Sequence, residues 1–166
     1  MNKKPEAVVT LRFDAEIIDA VQRRAQKRGH EFAEEVMWLV VEGLGDELPS
    51  AFRDWLRRRE EIVQRFGLKA VAIQALAIKA EGWRGDIIAE TGRLLMEEKP
   101  WADGYQALLG ADPFDKRVKM KARINPMLGR RAKLLLGAKT GKPFPVKQPS
   151  IFTTSSTLLQ PLPDTA

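Results

Sequence analysis

Residues 8 to 13 read Val8-Val9-Thr10-Leu11-Arg12-Phe13, and the way this run folds decides the N-terminal architecture. Strict alternation places Val9, Leu11 and Phe13 on one face and Val8, Thr10 and Arg12 on the other, the period-two pattern of a half-buried strand. One short strand has no hydrogen-bond ladder of its own, and the simplest partner is the same strand of a second copy of the chain. Asp14 then offers a helix N-cap, and Ile17, Val21 and Ala25 recur at four-residue spacing. Arg24, Lys27 and Arg28 gather where cations suit the helix dipole. Gly29 closes this first helix. A second helix follows, with Phe32, Val36, Leu39 and Val40 as its apolar stripe and Gly43 and Gly45 at its end.

The stretch TLRFDAEIIDAVQRRAQKRGHEFAEEVMWLVVEGL resembles the ribbon-helix-helix fold of Arc, MetJ and CopG-type repressors, the likeness covering residues 8 to 44. The resemblance implies a homodimer whose paired strands enter the DNA major groove and read bases with alternate outward side chains. Val8, Thr10 and Arg12 occupy the reading positions. One departure concerns the second helix, which in that family begins with Ser or Thr and holds a phosphate at its N-terminus. Here Glu31, Glu34 and Glu35 stand there. Acids favour a helix start and repel phosphate, so either the docking differs or the ribbon mainly dimerises.

Composition narrows the function. The chain has 166 residues, 44% of them hydrophobic, no cysteine, and a single histidine, His30. These counts exclude disulfides, thiolate metal sites, a Cys nucleophile and a His-based triad, and we expect neither an enzyme nor a cofactor or metal. No window is apolar enough to span a bilayer and Met1 to Glu6 show no signal peptide, which points to a soluble cytoplasmic protein without a membrane partner. Charge is unevenly placed. Residues 1–44 carry seven Lys/Arg against eight Asp/Glu, residues 45–110 ten against eleven, and residues 111–166 eleven against three. The whole excess is C-terminal, the footprint of a polyanionic partner, with DNA favoured over RNA.

The expected fold is mainly α, in four parts: a ribbon-helix-helix domain over 1–45, a helical bundle over 46–110, a basic segment over 111–136 and an extended tail over 137–166. Leu44 to Pro49 reads as a linker. Ser50 caps a helix that Gly67 ends, Leu68 to Ala80 forms a central helix, Asp86 caps a helix ending before Pro100, and Trp101 to Leu109 adds a short turn. The last pair, joined across Gly82-Trp83-Arg84-Gly85, is not a DNA-reading helix-turn-helix. Its second helix carries Asp86, Glu90, Glu97 and Glu98 against Arg93. Met37, Trp38 and Val41 leave more apolar surface than a ribbon-helix-helix core requires.

Residues 116–124 admit a strand, with Lys119, Lys121 and Arg123 on one side, or a helix, favoured by Asp112-Pro113-Phe114-Asp115 as a start signal. Either way Lys119, Lys121, Arg123, Arg130, Arg131 and Lys133 are available to phosphates. Beyond Leu136, prolines, glycines and the Ser/Thr run Thr153 to Thr157 predict an extended tail that orders on a protein partner. Gly137 to Lys142 fails the Walker spacing at Leu136 and Pro143. The leading function is a dimeric DNA-binding protein, by its resemblance a transcriptional repressor or an accessory protein of plasmid partition or transfer. The alternative is a protein-interaction module, such as an antitoxin or an adaptor of a nucleoprotein complex, in which the ribbon only dimerises.

Overall fold

A computed structural model describes residues 10–110, 114–147 and 155–163, with side chains of the last helix described from Met120 onward. The chain divides into two compact units, Met1–Gly43 and Leu44–Ala166. Among the described residues six α-helices are followed by one antiparallel strand pair, and no helix is long and apolar enough to cross a membrane.

In the first unit, α1 spans Ala15–Arg28 and α2 begins at Phe32 and runs to Leu44. Asp14 is extended, and its carbonyl accepts the amides of Ile17 and Ile18 at 3.1 Å. Gly29 closes α1 in the left-handed conformation (φ 66°). The His30 amide reaches the Ala25 carbonyl at 2.8 Å and the Gly29 amide reaches that of Gln26 at 3.3 Å, satisfying carbonyls the helix end would leave unpaired. A side chain at Gly29 would be strained there.

The expected N-terminal ribbon is corrected by the structure. Thr10, Leu11, Arg12 and Phe13 are exposed and lie in no strand, while Val8 and Val9 fall outside the described residues. Strand pairing occurs instead at the C-terminal side, between β1 (Ala138–Pro145) and β2 (Ser155–Pro161). Alternation gives a segment two faces but no hydrogen-bond partner, and among the described residues it is the C-terminal segments that pair. The extended tail is corrected by the same finding, since much of 137–166 folds back as this pair.

In the second unit, α3 runs unbroken over Ser50–Ala80, passing through Gly67 where the sequence reading ended a helix. A Cβ at Gly67 would lie 2.7 Å from both Arg131 Cγ and Leu135 Cδ1, so this glycine serves a close helix crossing. α4 (Ile87–Glu97) and α5 (Lys99–Leu109) make a corner, with Pro100 in the first turn of α5 where its missing N–H costs nothing. α6 covers Phe114–Leu136, so the basic segment is a helix. The core joins Val63 and Phe66 of α3, Ile87 and Leu95 of α4, Trp101 and Tyr105 of α5, and Ile124 and Leu128 of α6. Trp101 donates its indole N–H to the Ile62 carbonyl at 3.1 Å and stacks on Tyr105, ring centres 5.2 Å apart.

The strand pair is pinned to this core. The Leu159 amide donates to the Gly85 carbonyl at 2.8 Å, its carbonyl accepts the Trp83 indole N–H at 2.9 Å, and its side chain is buried. Register slips between the Thr140–Leu159 and Pro143–Thr157 pairs, a bulge at Gly141, where a Cβ would sit 3.0 Å from the Leu158 carbonyl. Pro143 and Pro145 are tolerated because a two-stranded sheet is all edge.

Candidate nucleic-acid interface

Two faces of α6 divide its chemistry. Ile124, Leu128 and Ala132 turn into the core. Lys121, Asn125, Gly129 and Lys133 recur at four-residue spacing on the face toward the strand pair, with Ala122, Pro126 and Arg130 beside them. Together with Thr140, Ser155, Ser156 and Thr157 from the strands they line a groove of about 460 Å³. Buried Ile88 and Leu159 form its floor, and no carboxylate belongs to its lining among the described residues.

The wall is held from behind. Tyr105 donates its hydroxyl to Asn125 Oδ1 at 2.6 Å, fixing that side chain at the groove edge. Burial pushes the Tyr105 hydroxyl well above its ordinary pKa, so it remains a donor. Pro126 lacks the amide that a regular helix would give to the Ala122 carbonyl.

Lys121, Arg130 and Lys133 are therefore brought together, and Lys121 and Lys133 make no ion pair among the described residues. Arg123 is exposed on α6 outside the groove lining, and the Lys119 side chain falls outside the described residues. Arg131 is a correction. It is 1% exposed and faces α3, pairing with Glu60 at 3.0 Å and with Gln64, because its position three residues after Leu128 lies on the buried face. Thr10 and Arg12 are exposed coil in the first unit, and Val8 lies outside the described residues. Sequence reading missed Asn125 and the hydroxyls of Thr140, Ser155, Ser156 and Thr157. The four-residue spacing from Lys121 marks Asn125; the Ser/Thr run read as tail because nothing local marks it as a strand.

The first unit carries a different cluster. Glu35 is fully buried and accepts Arg24 Nε at 2.5 Å, Arg28 Nη1 at 3.3 Å and His30 Nδ1–H at 2.6 Å. Glu42 accepts both arginines, Arg28 at 2.9 Å, and these bonds hold its carboxyl below the usual range. One of the three acids at the start of α2 is thus neutralised inside the fold. On α4, Arg93 pairs with Glu90 at 3.0 Å and Glu97 at 2.7 Å, while Ile87, Ile88 and Leu95 are buried, so this helix supports the core. No protein family, curated protein or solved structure matches the chain.

Proposed function

We propose that the chain is a DNA-binding protein whose contact surface is the groove between α6 and the C-terminal strand pair. The observation that carries this reading is the convergence of Lys121, Arg130 and Lys133 with Thr140, Ser155 and Thr157 around one concavity that, among the described residues, is lined by no carboxylate. Cations and hydroxyls are the groups that hold phosphate and sugar oxygens. The segment supplying them carries the chain's whole positive excess, with Lys139, Lys142 and Lys147 exposed along it. Binding rather than catalysis fits the lining, where no carboxylate or imidazole stands among the described residues as a general base. Replacing Lys121, Arg130 and Lys133 together with alanine is expected to weaken binding of a 30-base-pair duplex at least tenfold at moderate salt, read by fluorescence anisotropy. Unchanged affinity would reject the groove as the contact surface.

A protein-interaction role is the second reading, favoured by the exposed Leu68, Leu76 and Ile78 on the latter half of α3. It predicts a stoichiometric protein partner whose capture is lost when Leu76 becomes Asp, and no DNA affinity in the isolated chain.

A further inference from the structure

The groove has depth as well as charge, and the inference drawn from its depth rests on the DNA-binding reading above. Its volume of about 460 Å³ falls within the small-molecule class of sites, roughly 300–1,000 Å³. Three features remain unused if only backbone phosphates touch its rim. Ile88 and Leu159 give it an apolar floor, each buried and each lining the cavity. Pro126 adds an apolar wall. Ser156 lines it too, 6% exposed, with a buried hydroxyl that meets no hydrogen-bond partner among the described residues.

A buried hydroxyl without a partner is costly, and a polar atom of a ligand reaching the floor relieves it. In a closed duplex the base faces are covered by stacking and the Watson–Crick edges by pairing, so the base edges left in the grooves offer no flat face to an apolar floor. A nucleotide outside the stack presents all three matching surfaces. We propose that the groove takes one unpaired nucleotide of a DNA strand. Its phosphate meets Lys121, Arg130 and Lys133, its base lies over Ile88, Leu159 and Pro126, and a polar atom of the base or sugar bonds the Ser156 hydroxyl. Exposed Lys139 and Lys142 on β1 extend the positive charge beyond what one phosphate uses, which favours a strand over a free nucleotide.

The test compares the full chain bound to a labelled blunt duplex, the same duplex with a three-nucleotide overhang, and the single strand, at one salt concentration. The overhang and the single strand are expected to bind at least tenfold tighter than the blunt duplex. Ser156→Leu, which fills the floor, should bring them down to the blunt-duplex level. Gly129→Leu is the companion variant, because a Cβ there meets only Ile88 Cδ1 at 3.6 Å and the added side chain has the groove to occupy. Equal affinity for blunt and unpaired DNA overturns the unpaired-nucleotide assignment and leaves DNA binding standing. Displacement of the single strand by micromolar deoxynucleoside monophosphate overturns the strand in favour of the free nucleotide. Absence of binding to any of the three DNAs overturns both readings.

Discussion

Arg131 and Arg130 are neighbours in sequence with opposite duties, and the difference is one of helix face. Arg131 is enclosed with Glu60 and Gln64, so its truncation removes a buried guanidinium together with its ion pair and hydrogen bonds, whereas Arg130 and Lys121 border an open groove. Arg131→Ala is expected to cost about 3 kcal/mol of stability in urea unfolding, in line with a broken buried pair. Lys121→Ala should leave stability within about 0.5 kcal/mol, as surface changes do. Gly67→Ala sets two effects against each other. Alanine gains about 1 kcal/mol in helix propensity. The new methyl overlaps Arg131 Cγ and Leu135 Cδ1 at 2.7 Å, and Arg131 is clamped and cannot yield, so overpacking of roughly 1–3 kcal/mol opposes the gain. A net loss near 1 kcal/mol is expected, and a stabilised Gly67→Ala protein would show that the crossing is looser than described.

At the scale of elements, what was legible in the sequence depended on whether the cause was local. The cap at Asp14, the stop at Gly29, the start of α4 after Asp86 and the helical form of the basic segment are set by neighbouring residues. The helix boundaries appear where read, although the Asp14 side chain makes no cap bond, and of the strand and helix admitted for the basic segment the structure takes the helix. Gly67 looked like a stop because its reason, the approach of α6, lies more than sixty residues away. The strand pair was illegible for the same reason, since Leu159 is pinned by Trp83 and Gly85 across a separation of 76 residues in the Trp83 bond. The N-terminal run showed the converse, a convincing alternation whose described residues, Thr10 to Phe13, lie in no strand. Trp83→Phe keeps the ring and removes the bond to the Leu159 carbonyl. Faster amide exchange in β2 is expected, corresponding to about 1 kcal/mol, with the α5 and α6 amides unchanged. Glu98 ties the α4–α5 corner to α3 through Lys69 at 2.8 Å and Arg65 at 2.7 Å, and those bonds, Lys69 first, hold its carboxyl below the ordinary value. A lowered folded pKa means that its stabilisation is complete above the ordinary glutamate value and is lost as pH falls through the lowered one. Glu98→Gln should therefore flatten the acid side of the stability profile, and a profile unchanged by this substitution would remove Glu98 from the account.

The whole molecule joins two units of different construction. The first concentrates its polar interactions on Glu35, which gathers Arg24, Arg28 and His30, and Glu35→Ala should loosen this unit by roughly 3 kcal/mol while leaving the melting of the second in place. The second unit has the broad apolar core, the surplus positive charge and the groove. The candidate site was half legible: the charge imbalance pointed to the third of the chain that holds the groove, but the partition of its cations between groove and core required the helix faces. The central claim is that the groove cations neutralise DNA phosphates, and the most direct measurement is the slope of log Kobs against log salt for duplex binding. Each phosphate contact contributes about 0.9 to that slope. The protein lacking the side chains of Lys121, Arg130 and Lys133 is predicted to show a slope shallower by roughly 2–3, and an identical slope in the two proteins would contradict the account.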